Sequence, residues 1–288
     1  MARLKLILAF LFIWNGFFAQ SIKTDTKTAG PATGTLIVIG GGRLDDEIFL
    51  EFKKHAGGDS AHIVVIPTAL PDDFLQQDSA LLKIKMGFEK YGYEKVTILH
   101  TRDSADANNP KFIEPIKNAS GIYFIGGRQW RIADSFLNTK AHDEMFKLLE
   151  RGGVIAGSSA GATIQGSYLA RGDTKNNQIM MGDHEEGLRF ISNIAIDQHV
   201  LARNRQFDMF DILKNKPELL GLGIDENTAI VVHGDQFEVI GSSYVTIYDG
   251  TFWSREGSDM KHLPDENALF YMLRKGDRYD LKERRVIE

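Results

Sequence analysis

The sequence predicts an α/β fold with a mostly parallel central sheet, and three features of the chain indicate it. Between residues 35 and 156, short apolar runs alternate with longer segments of helical pattern. The runs are continuously apolar and rich in β-branched residues, which is typical of strands buried on both faces. Glycine clusters follow several runs, at the strand ends where such sheets bind ligands. Strands and helices that alternate in this way form βαβ units.

The first half of the chain supplies five predicted strands and the helices between them. The strands are predicted at residues 35–40, 61–67, 95–99, 121–125 and 154–156. The helices are predicted at residues 46–55, 72–91, 110–118, 129–137 and 141–150, where apolar residues recur at helical spacing. The three glycines at 40–42 lack the Gly-x-Gly-x-x-Gly spacing of a dinucleotide site, so they predict only a tight turn after the first strand.

The second half of the chain has a looser pattern. Residues 168–187 are polar and are predicted to pass over the face that carries the glycine clusters. A helix is predicted at residues 204–214, with Phe207, Phe210 and Leu213 facing inward. Further strands are predicted at residues 190–196, 230–233, 237–240 and 244–248, the last two as antiparallel strands at the end of the sheet. A turn-rich segment is predicted at 221–229 and a short surface helix at 267–274.

Composition excludes several classes of function. The 288 residues carry a net charge of -5 with no basic run, which gives no indication of nucleic-acid binding. The chain has no cysteine, so disulfides, a cysteine nucleophile and a thiolate metal site are excluded. No His-x-x-x-His pair or carboxylate cluster has ligand spacing, so neither a metal nor a cofactor is expected. Residues 34–288, about 255 in number, are expected to form one domain.

The N-terminal segment has the pattern of a secretory signal peptide, predicted at residues 1–21. Arg3 and Lys5 precede an apolar run over residues 6–18, and small residues follow near a cleavage point at 19–21. The run is shorter than the about 20 residues of a transmembrane helix, although an uncleaved anchor is the alternative. Residues 22–33 are expected to be a flexible lead-in. The mature protein is therefore predicted to be periplasmic or secreted, with no stable membrane insertion.

Residues 152–166 hold the motif with the most specific chemical meaning. A short apolar strand runs into Gly157-Ser158-Ser159-Ala160-Gly161, and a segment suited to a helix follows. This is the Gly-x-Ser-x-Gly spacing of a nucleophile elbow in its strand–turn–helix context. Ser159 would occupy the strained turn, and the N–H of Ala160 would face an oxyanion formed on attack. The alternative interpretation is a glycine- and serine-rich turn without chemistry.

A serine nucleophile needs an adjacent base, and His199 is the best candidate among eight histidines. It follows a predicted strand directly and lies close in sequence to Asp197, Gln198, Arg203 and Arg205. A buried strand that ends in such a polar cluster is costly unless the groups are satisfied or used. A structural polar network around a hydrogen-bonded histidine is the alternative.

The base in turn needs an acidic partner that holds its tautomer. Asp197, Asp225 and Glu226 are all candidates, and spacing alone does not choose among them. A salt-bridged loop is the alternative for the last two. His142 and His262 are expected at the surface.

Four motifs occur in order between about residues 35 and 248. They are Gly126-Gly127-x-Gln129, Gly157-x-Ser159-Ala160-Gly161-Ala162, Asp197-Gln198-His199-x-x-x-Arg203-x-Arg205 and Gly223-Ile224-Asp225-Glu226-Asn227-Thr228-Ala229. Together they resemble the motifs of the cyanophycinase family of serine peptidases, which is related to peptidase E, an aspartyl dipeptidase. Four motifs in order are far more specific than any one of them.

The resemblance implies a flavodoxin-like sandwich similar to class I glutamine amidotransferases, and it implies no cofactor. It implies a Ser–His–Glu triad on Ser159, His199 and Glu226. It also implies an oxyanion hole formed by N–H groups of Ala160 and Gly127. The residues that it implies around the substrate are Gln129, Asp197, Gln198, Arg203 and Arg205. Families of this kind often form dimers, so a homodimer is a further expectation.

Two positions depart from the family pattern. The family often carries Asp or Asn where this chain has Arg128, and a third arginine is expected where this chain has Asp208. Because a guanidinium group grips carboxylates with two hydrogen bonds, an aspartate there reverses the local charge. Arg128 is a candidate to restore the positive charge from another loop.

The sequence therefore predicts an exported serine-type exopeptidase. Its expected substrate is cyanophycin, a polyaspartate with arginine on each side-chain carboxyl, and its expected product is β-aspartyl-arginine. One alternative is a peptidase for short aspartyl or isoaspartyl peptides. Another is a catalytically inactive protein that binds acidic peptides.

Overall fold

The structure is a computed structural model, and it describes residues 28–77, 79–255, 257 and 268–288. The predicted signal peptide, most of the predicted lead-in and His262 lie outside these residues. The strands are β1 (Thr35–Ile39), β2 (His62–Ile66), β3 (Lys95–Ile98), β4 (Gly121–Phe124), β5 (Val154–Ser158), β6 (Ile194–Gln198), β7 (Leu220–Ile224), β8 (Thr228–His233), β9 (Gln236–Gly241), β10 (Tyr244–Tyr248), β11 (Tyr271–Arg274), β12 (Arg278–Asp280) and β13 (Arg285–Ile287). The α-helices are α1 (Asp46–His55), α2 (Asp72–Leu75), α3 (Ala80–Glu89), α4 (Pro110–Lys117), α5 (Gln129–Phe136), α6 (Lys140–Glu150), α7 (Ala160–Thr163) and α8 (Met209–Asn215).

A large sheet runs through the molecule in the order β13-β12-β9-β8-β1-β5-β4-β2-β3. The strands from β1 to β3 in this order are parallel, and β8, β9, β12 and β13 extend the sheet with antiparallel pairs. From the β3 edge, the parallel strands follow the order β3-β2-β4-β5-β1. With β2 counted as strand 1, the first four strands have the order 2-1-3-4, as in flavodoxin-like folds, and β1 is the fifth strand. The predicted α/β class is confirmed.

The parallel strands are buried on both faces, which is why their sequences are continuously apolar. Successive side chains of a strand point to opposite faces. In β1, Leu36 and Val38 accordingly belong to one core cluster, and Ile37 and Ile39 belong to the cluster on the other side. All four are fully buried. Each such side chain contributes about 1.5–3 kcal/mol through the apolar surface that it removes from water.

A second sheet, in the order β11-β10-β7-β6, packs on the same core cluster as one face of the large sheet. Its strand β7 lies in the segment predicted to be turn-rich, so that prediction was wrong. Positions 221 and 223 require glycine because neighbouring side chains occupy the space of a Cβ. A Cβ at Gly221 would lie 2.7 Å from Met209 Cγ, and one at Gly223 would lie 2.9 Å from Val200 Cγ2. Strand β10 belongs to this sheet and does not close the large one.

Several predicted boundaries were wrong for local reasons. The helix predicted at 72–91 is divided into α2 and α3, because the N–H of Gln77 bonds to the carbonyl of Phe74 and closes a tighter turn. The strand predicted at 190–196 begins only at Ile194. The N–H groups of Ile191 and Ser192 bond outside the ladder, to the carbonyls of Gln165 and Ala29.

Three further expectations also differ from the structure. Helix α8 begins only at Met209, because Asn204 has a left-handed φ of 55° that interrupts a helix, and Phe207 is exposed. In the span 267–274, where a surface helix was predicted, residues Tyr271–Arg274 form the strand β11, paired with β10. His142, expected at the surface, is buried, with its Nε2 2.8 Å from the carbonyl of Leu188.

The described residues of the lead-in lie against the large sheet. The N–H of Ala29 donates to Asp235 Oδ1 at 2.6 Å, and the N–H of Gly30 donates to the carbonyl of Gly234 at 2.8 Å. None of the helices in the described ranges is both long and apolar enough to span a membrane.

Candidate active site

The candidate site lies where the carboxyl ends of strands from both sheets meet. Ser159 follows β5 and His199 follows β6, while Glu226 lies in the turn between β7 and β8. The glycine turn at 40–42 follows β1, which pairs with both β5 and β8. Residues distant in sequence therefore converge at one edge of the fold, as ligand sites in open α/β sheets do.

Ser159 has the backbone of a nucleophile elbow. Its φ is 57° and its ψ is -114°, a combination that costs on the order of 1–3 kcal/mol and persists only where the surroundings enforce it. The N–H of Ser159 donates to the carbonyl of Ile39 at 2.9 Å. A Cβ at Gly157 or at Gly161 would clash with backbone carbonyl oxygens, so the turn requires glycine at both positions.

Three side chains form a continuous line of hydrogen bonds. His199 Nε2 lies 2.9 Å from Ser159 Oγ, and His199 Nδ1 lies 2.6 Å from Glu226 Oε1. Burial lowers the pKa of His199 below its ordinary value; the hydrogen bond that Glu226 accepts from the imidazole opposes this effect, and the charge of Arg203 adds to it. A histidine that is neutral near pH 7 and bonded to a hydroxyl can accept the proton of that hydroxyl.

Asp225 holds the turn that carries His199. Its Oδ1 accepts hydrogen bonds from the N–H groups of Leu201 at 3.0 Å and Ala202 at 2.8 Å, and its Oδ2 accepts one from the Ser243 hydroxyl at 2.6 Å. Spacing alone left Asp197, Asp225 and Glu226 as candidate partners of His199, and the family resemblance implied Glu226. In the structure Asp225 is committed to the backbone after His199, and the neighbouring glutamate reaches the imidazole.

The glycine turn at 40–42 shapes the site more directly than the sequence indicated. A Cβ at Gly41 would overlap the imidazole of His199, and a Cβ at Gly42 would lie 2.5 Å from Glu226 Oε2. Both glycines have a positive φ, of 117° and 73°. These residues were missed as functional positions, although three glycines after the first strand were the available signal.

The turn formed by Gly126 and Gly127 lies against the serine. A Cβ at Gly126 would lie 3.0 Å from Ser159 Cβ and 3.5 Å from its Oγ. Gly127 has a φ of 144°, and a side chain there would overlap the carbonyl of Ala69. Within the described residues, neither Gly127 N–H nor Ala160 N–H donates a hydrogen bond to the protein. Two free backbone donors near a serine hydroxyl are suited to stabilising an oxyanion.

Gln129 and Arg128 hold the polar segment at 168–187 against the site. Gln129 is buried, and its Nε2 donates to the carbonyls of Ala170 at 2.7 Å and Arg171 at 2.9 Å. Arg128 Nη2 donates to the carbonyl of Asp173. Both side chains are thus engaged with backbone carbonyls of that segment.

Arg171 is a buried cation that the sequence did not single out. Its Nε and Nη2 lie 2.7 Å and 2.8 Å from the two carboxylate oxygens of Asp197, and Nη2 also lies 2.6 Å from Asp208 Oδ2. Asp197 is 1% exposed, so its carboxylate is shielded from solvent. Its Oδ1 also accepts the N–H of Gln198 at 2.9 Å, directly before His199. Nothing in the polar pattern at 168–187 distinguished Arg171 from its solvated neighbours.

Two of the remaining predicted substrate residues, Arg203 and Arg205, line an open cavity of about 450 Å³. It is lined by Arg171, Asn177, Gln178, Arg203, Asn204, Arg205 and Asp208. Arg203 is exposed, whereas Arg205 is buried and donates to the carbonyl of Gln198 at 3.3 Å. Gln198 is also buried, and its Oε1 has no hydrogen-bond partner among the described residues.

Comparison with known proteins identifies the family. The model of peptidase family S51 matches residues 36–240. The cyanophycinase of Geminocystis herdmanii is 31% identical over 261 residues, which cover 86% of this chain and 94% of that protein. The cyanophycinase of a Nostoc species is 31% identical over 284 residues, which cover 93% of this chain and 92% of that protein.

Solved structures of two peptidases resemble this fold. A crystal structure of a peptidase from an acI-B1 Actinobacterium has a TM-score of 0.63 and 25% sequence identity, and the match covers 87% of this chain and 98% of that one. A putative peptidase E from Listeria monocytogenes, at 16% identity, has a TM-score of 0.51 and covers 74% of this chain and 100% of its own, so it supports the fold alone. From the family match and the relatives together, the chain belongs to peptidase family S51 and is a serine peptidase.

Proposed function

We propose that this peptidase is an exported exopeptidase that hydrolyses aspartyl peptide bonds of cyanophycin and releases β-aspartyl-arginine. Its catalytic residues are Ser159, His199 and Glu226. The observation that carries the proposal is the line of hydrogen bonds from Ser159 Oγ through His199 to Glu226, at 2.9 Å and 2.6 Å, at the carboxyl edge of the sheets. The geometry is that of nucleophile, base and orienting acid in acyl transfer.

In the proposed mechanism, Ser159 Oγ attacks the scissile carbonyl while His199 Nε2 takes the hydroxyl proton. Glu226 holds the other ring nitrogen and stabilises the imidazolium that forms. The N–H groups of Ala160 and Gly127 donate to the tetrahedral oxyanion. His199 then protonates the leaving amine, and a water activated by the same imidazole hydrolyses the acyl-enzyme.

The choice of cyanophycin is supported by the names of the relatives and by the charge of the cavity. Arg203 is exposed and lines the cavity, where its guanidinium group can bind the free α-carboxylate of an arginine unit of cyanophycin. Arg205 and Gln198 are proposed to bind substrate beside it. Gln129 and Asp197 are buried and hydrogen-bonded, so we propose that they act on the substrate by shaping the cavity wall.

Short aspartyl or isoaspartyl peptides are a second candidate substrate, favoured by one observation. Asp208 stands where the family pattern carries an arginine, and it lines the same cavity. A cavity with one cation fewer binds the repeated carboxylates of a long polymer less well, so a shorter peptide becomes a better substrate.

The experiment that tests the proposal is hydrolysis of purified cyanophycin by the protein without residues 1–21, with products identified by mass. Release of β-aspartyl-arginine by the parent and not by Ser159→Ala would support both reaction and substrate. Triad removal lowers turnover by several orders of magnitude in other serine peptidases. If a folded Ser159→Ala protein cleaved a confirmed substrate at a near-normal rate, the proposed triad would be rejected.

A second outcome separates the substrate from the chemistry. If a serine-directed phosphonate labels Ser159 but cyanophycin is not cleaved, the hydrolase remains and short aspartyl or isoaspartyl peptides become the substrates to test.

Export and assembly are proposed on the sequence alone. We propose that residues 1–21 direct the chain out of the cytoplasm and are removed near residues 19–21. Fractionation of expressing cells, with sequencing of the mature N-terminus, tests this proposal. A homodimer in solution is a separate proposal, and sedimentation equilibrium tests it.

A further inference from the structure

Two side chains of opposite charge, Arg203 and Asp208, line the open cavity described above. Arg203 lies on the turn that begins at His199, with its N–H donating to the carbonyl of His199 at 3.0 Å, and its side chain is exposed. Asp208 lies at the start of α8, and 40% of its side chain is exposed. Both residues line the same open cavity.

Asp208 belongs to a cluster of one cation and two carboxylates that has a net negative charge. Arg171 is one buried cation between two carboxylates, because it pairs with both oxygens of Asp197 and with one oxygen of Asp208. The three groups together carry one negative charge. Asp197 is buried, so the excess can reach a ligand only through Asp208.

The second oxygen of Asp208 is free to bind. Arg171 takes Oδ2, and within the described residues Oδ1 accepts no hydrogen bond. Arg205 is the other nearby cation, but no ion pair between it and Asp208 occurs within 4 Å in the described part of the chain, and its guanidinium group bonds to the carbonyl of Gln198. Arg171 is already neutralised by a two-pronged pair with Asp197, so charge balance in the interior does not require a second carboxylate.

We propose that Asp208 determines specificity in this cavity, by pairing its exposed carboxylate oxygen with a guanidinium or ammonium group of the substrate. The exposed Arg203 binds a substrate carboxylate in the same cavity. The preferred ligand therefore carries both charges, as an aspartyl-arginine unit does, and a ligand with the carboxylate alone binds less well. The substrate class named here rests on the proposed function, but the charge preference is a property of binding that can be measured without turnover.

The test compares two ligands of the same shape. β-Aspartyl-arginine and β-aspartyl-citrulline differ in that the guanidinium of the first is an uncharged ureido group in the second. Their affinities for the Ser159→Ala protein are measured by calorimetry, so that no reaction interferes. We expect the arginine ligand to bind about tenfold more tightly, as one charge-assisted hydrogen bond at a partly exposed site provides.

Two variants in the same background locate the preference. Asp208→Asn keeps an oxygen for Arg171 and removes the charge, and it is expected to bring the ratio of the two affinities close to one. Asp211→Asn is the matched control, because Asp211 is an exposed acid three residues along α8 and does not line the cavity. It is expected to leave the ratio unchanged.

The outcomes separate this proposal from the proposed function. The role of Asp208 is overturned if Asp208→Asn does not change the ratio of the two affinities. It is also overturned if the parent binds neither ligand or binds both equally. Either result stands even if cyanophycin is cleaved. A preference that Asp208→Asn abolishes supports it even if cyanophycin is not cleaved, in which case the proposed substrate is the part that fails.

Discussion

Replacement of Glu226 by glutamine tests how the site activates its serine. The side chain keeps its shape and loses only its charge. The hydrogen bond between Glu226 Oε1 and His199 Nδ1, which is 2.6 Å long in the structure, therefore loses its charge assistance. Two consequences follow. The imidazolium formed during attack is no longer stabilised, and the amide can donate to Nδ1 and so favour the tautomer that cannot accept the serine proton.

The expected loss can be bounded from these two effects. A hydrogen bond to a charged group contributes about 1.5–3 kcal/mol, or about 10- to 100-fold in rate. Because 38% of the Glu226 side chain is exposed, solvent screening favours the lower part of that range. The wrong tautomer can raise the loss to about 10⁴-fold. We therefore expect kcat/KM to fall by between about 10- and 10⁴-fold.

The pH profile gives an independent check, because its direction follows from the same contact. His199 accepts a proton only when neutral, so kcat/KM falls as the pH drops through the pKa of His199. Burial holds that pKa below its ordinary value and Glu226 raises it. Without the carboxylate the pKa drops further, and the acid limb of the profile moves to lower pH.

Glu238→Gln is the matched control, because Glu238 is an exposed glutamate on β9. Its kcat/KM and pH profile are expected to equal those of the parent. A Glu226→Gln protein with kcat/KM within twofold of the parent, or an acid limb displaced to higher pH, would refute the role proposed for Glu226.

Two further substitutions test positions that the tertiary structure brought to attention. Gly41→Ala places a methyl group in the space of the His199 imidazole at a φ of 117°, so we expect kcat/KM to fall at least about 100-fold and the free energy of unfolding to fall by about 1–3 kcal/mol. Arg171→Met leaves Asp197 buried without its partner, and urea denaturation should show a loss of about 3–5 kcal/mol.

Each of these two substitutions has a control in which the same residue types are exchanged at another position. Gly57 also has a positive φ, of 104°, but open space around it, so Gly57→Ala tests backbone strain without the clash. Arg189 forms a surface ion pair with Glu186, and Arg189→Met should cost less than about 1 kcal/mol. Equal activity in the two alanine variants, or equal stability in the two methionine variants, would contradict the reasoning.

The sequence predicts correctly those strands and helices whose formation depends on residues close together in the chain. The strand at β1 was predicted from its run of apolar residues, because a strand covered on both faces needs no polar position. The bounds predicted for α1 match those observed, Asp46–His55. The elbow at Ser159 was visible because its strain requires small neighbours within two residues, and those neighbours stand beside it in the sequence.

Errors arose where a segment takes its structure from distant neighbours. Gly221 and Gly223 have the local pattern of turns, yet they lie in a buried strand because Met209 and Val200 fill the space above them. Phe207 was predicted to face inward from helical spacing, but the left-handed backbone at Asn204 delays the helix and leaves Phe207 exposed.

By itself, then, the sequence determined the class of fold, the elbow and the set of polar residues at the strand ends. The family resemblance implied that Glu226 is the partner of His199. Only the tertiary structure showed the contact itself, the bonds from the backbone to Asp225 and the pairing of Arg171 with two acids. The physical reason is one of range. Burial and backbone strain leave a pattern within a few residues, whereas a hydrogen bond or ion pair between segments tens of residues apart depends on which strand ends meet.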